Sequence, residues 1–401
     1  MKRRFLPLSL FLIFTMLGGL ILSSSTIMQD KKYVNRTNPN DALSNGNKQS
    51  AEYLNLLRNN QLTGLINPKD LIEVQKQLSE MKSTRAGFDL SWKELGPDNF
   101  GGRTRALVFD NKDSEGKTAI AGSVGGGLWK TTNGGTTWTK VNTGSANLNV
   151  SCMIQTNSGD FYVGTGESFS SQSHSAIGQM GYSSGFMGKG LFKSTDGENF
   201  NLISSTKPTL NDQEADFAYI NEVAYNEAGS TIYTSTNNGL KYSTDGGSTW
   251  KTAKDSEGNE LSENSTDVHA SSSGLIVASV NNMAYVSFNG NPENFQLRSY
   301  DDSTGMLPMT NVKRIEFAIA PSDDNIVYAS VVNQFENIYN VYRSEDQGNT
   351  WEVIMPGSSA LEVLGGQGVY NNLIAVYPEN PNKIRSEEHT SNSSHVAISY
   401  A

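Results

Sequence analysis

From Ser91 onward, apolar and polar residues alternate in short runs broken by Gly, Asn and Asp, the pattern of half-buried strands joined by tight turns. Five such runs are Ala119-Ile-Ala-Gly122, Phe161-Tyr-Val-Gly164, Ile232-Tyr-Thr-Ser235, Leu275-Ile-Val-Ala278 and Ile326-Val-Tyr-Ala329. A second run follows after a turn, as in Gly127-Leu-Trp-Lys130 and Gly239-Leu-Lys-Tyr242. Before Ser91 the pattern is different. Phe5 to Leu22 is uncharged and mostly apolar, follows Lys2, Arg3 and Arg4, and leads into Ser23, Ser24 and Ser25. This predicts an export signal over residues 1–25, with a single membrane anchor as the alternative. Residues 26–88 read as a polar linker carrying two short helices. One covers about 50–58, with Tyr53, Leu54 and Leu57 on one side. The other opens at Asn67-Pro68, with Leu71, Val74, Leu78 and Met81 at helical spacing.

The strand pattern repeats with a marker. Thr131-Thr-Asn-Gly-Gly-Thr-Thr-Trp138, Ser194-Thr-Asp-Gly-Glu-Asn-Phe200, Ser243-Thr-Asp-Gly-Gly-Ser-Thr-Trp250, Ser287-Phe-Asn-Gly-Asn-Pro-Glu-Asn-Phe295 and Ser344-Glu-Asp-Gln-Gly-Asn-Thr-Trp351 share Ser/Thr-x-Asp/Asn-x-Gly-x-Thr-Trp, the second one residue short and the fourth one long. Asn133, Asp196, Asp245, Asn289 and Asp346 are spaced by 63, 49, 44 and 57 residues. A four-stranded propeller blade takes about 40–50 residues, so one repeat is one blade. The expected fold is therefore all-β: a propeller over residues 89–384 with five to six blades present and an incomplete ring. Each marker should be a turn between neighbouring strands, its Asp/Asn and Gly tolerating positive φ, its Asp accepting local N–H bonds, and its aromatic (Trp138, Phe200, Trp250, Phe295, Trp351) packing between blades.

The marker is similar to the Asp box, or BNR repeat, and the chain resembles the sialidase-like and sortilin-like (VPS10-type) propellers that carry it. Ala51 to Gly64 and Trp92 to Arg103 further resemble the start of large secreted proteins of Bacteroidetes-type bacteria, often labelled glycosyl hydrolase or sortilin-like. The resemblance implies a protein outside the cytoplasm, secreted or in the cell envelope. It says little about activity, because this fold hosts many functions.

Charge and cysteine content narrow the chemistry. With 41 acidic against 31 basic residues and a net charge of −10, no nucleic-acid partner is expected. Cys152 is the only cysteine, which excludes an intrachain disulfide and reads as a buried thiol. One carboxylate per marker is too few for calcium. No metal or cofactor is expected.

Three enzyme readings compete, two implied by the resemblance and one read from Gly164-Thr-Gly-Glu167 and the long loop behind it. A sialidase would need an arginine cluster, a Tyr nucleophile and an acid–base pair. The arginines available are Arg103, Arg105, Arg298, Arg314 and Arg343, the last expected at the surface, and the sialidase Arg-Ile-Pro signature is absent. A xyloglucanase-like hydrolase would carry a catalytic Asp where this chain has Ser123. The third reading pairs Glu167 with His174 in the loop 168–190, against the plainer view that both are ordinary loop residues. Catalytic candidates are thus Glu167 and Arg103, and binding candidates Arg105 and His174. The favoured function is a binding or interaction module for a protein or glycan ligand on the propeller face, with a glycoside hydrolase as the alternative. Contact with a membrane is expected only through an uncleaved N-terminus.

Residues 385–401 break the pattern just after Ile374-Ala-Val-Tyr-Pro-Glu-Asn-Pro-Asn-Lys383, which reads as the start of a sixth blade. Arg385-Ser-Glu-Glu-His-Thr-Ser391 resembles a translated sequencing adapter, so this tail is expected to be foreign to the natural protein. A metal-binding role for His389 and His395 is the alternative, and two histidines in a Ser-rich tail make a poor site.

Overall fold

The computed structural model describes residues 103–144, 148–168, 186–209, 212, 214–301, 304–357, 364 and 366–386, together with Glu73 and Gln77. The chain divides into two units, Met1–Ser91 and Trp92–Ala401. In the first, Glu73 and Gln77 are helical and exposed, and Gln77 Nε2 donates to Glu73 Oε1 at 3.2 Å. The expected export signal, the linker and the rest of both helices lie outside the described residues.

The second unit is built almost wholly of antiparallel sheets. Blade 1 contains β1 (Thr104–Phe109), β2 (Ala119–Ser123), β3 (Gly127–Thr131) and β4 (Thr139–Lys140). Blade 2 contains β5 (Val150–Gln155), β6 (Phe161–Thr165), β7 (Phe192–Ser194) and β8 (Asn201–Leu202). In blade 3 these are β9 (Ile220–Asn226), β10 (Thr231–Thr236), β11 (Gly239–Ser243) and β12 (Lys251–Thr252). Blade 4 has β13 (Ser265–Ala270), β14 (Ile276–Val280), β15 (Met283–Ser287) and β16 (Gln296–Leu297). Blade 5 has β17 (Val312–Ile319), β18 (Val327–Asn333), β19 (Ile338–Ser344) and β20 (Glu352–Pro356). A sixth sheet holds two strands, β21 (Ile374–Tyr377) and β22 (Asn380–Ser386), after a one-turn helix α1 (Gly368–Asn371). Arg385 and Ser386, assigned above to the foreign tail, pair with Ala375 and Ile374; the remainder of the tail lies outside the described residues.

The first strand of each sheet packs against the first strand of the next, from β1 through β5, β9, β13 and β17 to β21, so these six strands surround a common axis. The apolar residues of the alternating pattern fill the gaps between blades. Ile120 and Leu128 of blade 1 meet Val150 and Phe161 of blade 2. Val277 and Val286 of blade 4 meet Ile315 and Phe317 of blade 5. Each such side chain removed from water stabilises the arc by about 1.5–3 kcal/mol.

Each inner strand of the five blades carries a β-bulge at its second residue. The register skips Arg105, Ser151, Asn221, Thr266 and Lys313 in turn. A bulge re-aims the side chains beside it and is common next to functional sites. Here it also ties blades together. Ser151 Oγ donates to the Ile220 carbonyl, and Asn221 Nδ2 to the Ser265 carbonyl at 2.7 Å, each on the next inner strand.

The markers are the turns between third and fourth strands, and their geometry corrects two expectations. Asp245 Oδ1 accepts from Thr249 N (2.9 Å) and Ser243 Oγ (2.8 Å), and Asp346 Oδ1 likewise accepts from Thr350 N (2.7 Å) and Ser344 Oγ (2.7 Å). The Asp and Asn residues themselves do not take positive φ; that falls to the next residues, Gly134, Gly197, Gly246, Gly290 and, in the fifth turn, Gln347 (φ 64°). Nor do all five aromatics pack between blades. Phe200, Phe295 and Trp351 are buried and Trp250 is partly covered, but Trp138 is 39% exposed. The reason is directional. Each turn leans on the preceding blade, as Trp250 does on Ser205 and Gly348 beside Val286, and none of the described residues covers blade 1 on that side. Leu107 repeats the point: it is 54% exposed, whereas Met153, Val223, Val268 and Ile315 at the same repeat position are buried. Among the described residues no strand pairs the sixth sheet with blade 1.

Candidate functional site

The leading ends of the inner strands open onto a cavity of about 380 Å³ on the axis. Blade 1 contributes Arg103 and Arg105, blade 2 Ser151, blade 3 Asn221 and Glu222, blade 5 Arg314 and Glu316, and the stretch around α1 Tyr370 to Leu373. A second cavity of about 240 Å³ lies at the trailing ends of the same strands, beside Gln155, Tyr225, Glu227 and His269.

Three arginines shape the first cavity. Arg103 donates through Nη2 to Glu167 Oε2. Arg105 Nη1 donates to the Tyr370 carbonyl at 3.1 Å. The guanidiniums of Arg103 and Arg105 lie 5.4 and 5.0 Å from the centroid of the Tyr370 ring, within cation–π range. From blade 5, Arg314 grips Glu316 Oε2 through Nε (3.1 Å) and Nη2 (2.6 Å), and its Nη1 donates to the Val369 carbonyl at 2.7 Å. Arginines from the first and fifth blades therefore clamp α1 from two sides. Gly368 lets this turn sit flush on blade 5: a Cβ there would meet Val332 Cγ1 at 2.6 Å and the Glu336 carbonyl at 2.7 Å.

Two carboxyl groups, Glu222 and Glu316, share the cavity with the arginines. Glu222 is half-buried and accepts from its neighbour Val223 N at 3.1 Å. Burial pushes its carboxyl up to about 8; His269 opposes the shift, and Asp267 and Glu316 add to it. Burial also raises Glu316 above the usual carboxylate range, although Arg314 pulls it back. Asp267 is fully buried, accepts Phe317 N at 2.7 Å across the blade boundary, and faces His269 Nε2 at 3.1 Å. Burial would lower the His269 imidazole, but the Asp267 carboxylate outweighs it and holds it near 9. Among the residues lining the cavity, Tyr370 Oη and Asn371 Oδ1 are buried without a hydrogen-bond partner, as is Oε1 of Glu167, which reaches the lining only through Arg103, a costly state unless something else supplies the bond.

Of the expected site residues, the structure brings Arg103, Glu167 and Arg105 together. Glu167 is not an ordinary loop residue: its side chain is 1% exposed and bonded to Arg103. His174 lies outside the described residues. Ser123 Oγ accepts from Gly126 N at 3.2 Å at the end of β2. Arg298 lies away from the cavity, over Phe288 and bonded to Asn349. Arg343 is not at the surface: its side chain is 13% exposed, and it bonds to Tyr328 Oη and Asn382 Oδ1 because β19 turns it toward the sixth sheet. Cys152 is buried beside Tyr162, Leu191 and Ile220, and burial pushes its thiol well up. Among the described residues no three His, Cys, Asp or Glu side chains gather as a metal site.

Glu222, Glu316, Tyr370 and Asn371 were not singled out from the sequence. A signal existed for one of them, Glu222. Glu222, Asp267 and Arg314 each follow the bulge residue, at one phase of the repeat, and Arg105 is the bulge residue of blade 1.

Fold and cavity together define a β-propeller with a charged axial pocket. No protein-family model matches the chain, and no curated protein sequence matches it. Similar solved structures include an ancestral GH74 enzyme, with a TM-score of 0.49 and 20% identity over 73% of this chain and 35% of that one. YCF48 bound to D1 peptide gives 0.42 and 14%, over 73% of this chain and 78% of that one. The GH74 xyloglucanase from Xanthomonas campestris gives 0.41 and 13%, over 71% and 50%. The chain thus spans about a third of the ancestral GH74 enzyme. Among the described residues no helix is long and apolar enough to cross a membrane.

Proposed function

We propose that this propeller is a binding module, acting outside the cytoplasm, that seats an anionic group of a protein or glycan ligand in the axial cavity. The observation that carries this reading is the meeting of Arg103, Arg105 and Arg314 at one cavity whose lining also holds two buried polar atoms without partners, Tyr370 Oη and Asn371 Oδ1. Guanidiniums suit oxyanions, which they bind through paired N–H donors. Asn371 Oδ1, in the cavity lining, accepts only, so a ligand that reaches it brings a donor such as a hydroxyl or amide. The N-terminal pattern of residues 1–25 supports export. The test is a screen of peptide and glycan arrays with the full chain and its Arg105→Ala and Arg314→Ala variants. The reading expects acidic ligands that both variants lose. Neutral ligands, held equally well by the variants, would refute it.

A hydrolase remains the second reading, favoured by one observation. Glu222 and Glu316 share the cavity and both are shifted toward the neutral acid, the state of a general acid in glycoside cleavage. Polysaccharide turnover that vanishes in Glu222→Gln would establish it.

A further inference from the structure

Glu222 lines the same cavity as the arginines, yet no arginine bonds to it. The two other carboxyls nearby are already engaged, Glu316 with Arg314 and Asp267 with Phe317 N and His269. We infer that the cavity takes up its anion together with one proton, and that this proton rides on the Glu222 carboxyl, which donates its O–H to the bound oxyanion. This rests on the anionic-ligand reading above.

The surroundings of Glu222 favour this chemistry. On β13, Asp267 and His269 face each other as an ion pair at 3.1 Å. On β17, Glu316 and Arg314 do the same. On β5, the Cys152 thiol is held neutral by burial. From the cavity mouth, Arg103 and Arg105 already contact the Tyr370 ring. An ionised Glu222 would add a negative charge to the wall where the ligand's own charge must sit, and like charges at close range in a partly buried site repel strongly. A protonated Glu222 removes that repulsion and supplies a donor. Its titration near 8 places the change of state within reach of ordinary buffers.

The test uses inorganic sulfate, which stays fully ionised, so any pH dependence belongs to the protein. Sulfate binding to the full chain is measured by calorimetry from about pH 6.5 to about pH 9.5, in buffers of different ionisation enthalpy, with proton uptake read from the difference. The expected result is affinity that falls about tenfold per pH unit above the Glu222 titration, with uptake approaching one proton per sulfate. Glu222→Gln keeps a donor but cannot ionise, so its affinity should stay level over the same range with no proton uptake. His269→Gln should keep the uptake. Sulfate binding without uptake at the alkaline end of the range, or uptake lost in His269→Gln and kept in Glu222→Gln, overturns the inference and leaves the anionic-ligand reading standing. Absence of any sulfate binding that depends on Arg105 and Arg314 overturns both. Thermal unfolding of each variant shows whether it is folded, and Glu222→Asp, which can still ionise, should restore the pH dependence.

Discussion

Arg103 and Glu167 stand 64 residues apart in sequence and form a charged hydrogen bond between the start of β1 and the end of β6. The Glu167 carboxylate is almost fully enclosed, and Oε1 has no partner, so Arg103 is its main compensation. Arg103→Ala should therefore cost more than the loss of a surface pair, about 2–4 kcal/mol, since a buried charge would be left alone. Arg103→Ala combined with Glu167→Gln should recover part of that loss. Chemical denaturation of Arg103→Ala, Glu167→Gln and the double variant decides it: single losses that simply add in the double variant would mean the pair contributes nothing.

Gly164 and Gly122 occupy equivalent places in the second strands of blades 2 and 1, opposite Cys152 and Ala106 just after the bulge. A Cβ at Gly164 would press on Cys152 Sγ and lie 2.8 Å from Ile220 Cγ2 on the next inner strand. Backbone strain plays no part, since Gly164 is not in the positive-φ region. Gly164→Ala should destabilise by about 1–3 kcal/mol through overpacking alone. Gly164→Ala combined with Cys152→Ala, which removes the Sγ atom nearest the new methyl, should lose less melting temperature than the two single changes added together, if this contact is the cause.

These glycines also show what was legible in the sequence. The run ending in Gly122 or Gly164 and the turn from Ser243 to Trp250 are local patterns, so strands, turns and blade count could be read from spacing alone. The cavity could not. Arg314, Glu222 and Tyr370 come from three separate parts of the chain, and they meet only because inner strands share an axis and each strand bulges at its second residue. The direction of packing was hidden too. Trp138 and Trp351 occupy the same position in their turns, yet one is exposed and the other buried because only one has a described blade behind it.

The turn aspartates should act in stability and not in ligand binding. The Asp346 carboxylate accepts three hydrogen bonds, from Ser344 Oγ, Thr350 N and Thr350 Oγ1; burial raises its carboxyl, but the partners in the turn outweigh burial and hold it below the usual range. Asp346→Ala should cost about 1–2 kcal/mol. For Asp245, held down to about 2 by Thr249 and Ser243, the folded value lies below the unfolded one. Its contribution is therefore complete above about pH 4 and is lost as pH falls through 2. The melting temperature of the wild type should drop across that acid window, and Asp245→Asn should drop less. A variant that melts like wild type but no longer binds ligand would contradict a structural role.

Stability should also change on the alkaline side, with the opposite sign. The folded-state values of Glu222, about 8, and His269, about 9, lie above their ordinary values of 4.5 and 6.5. A group whose value is raised by folding binds its proton more tightly in the native state. Its contribution is complete below the ordinary value and is lost as pH rises through the folded one. For Glu222 the loss runs from about pH 4.5 to 8, and for His269 from about 6.5 to 9. Wild-type melting temperature should therefore decline steadily from about pH 6 to pH 9, by less than the full linkage slope because Glu222 is only half-buried. Glu222→Gln carries no ionisable group and should flatten the lower part of that decline, while His269→Gln should flatten the upper part and leave the buried Asp267 carboxylate without its cation, at a net cost in stability. Calorimetric melts of the three proteins across this range separate the contributions. A decline of the same slope in Glu222→Gln as in the wild type would mean that Glu222 is already ionised at neutral pH and that the cavity wall is negatively charged there.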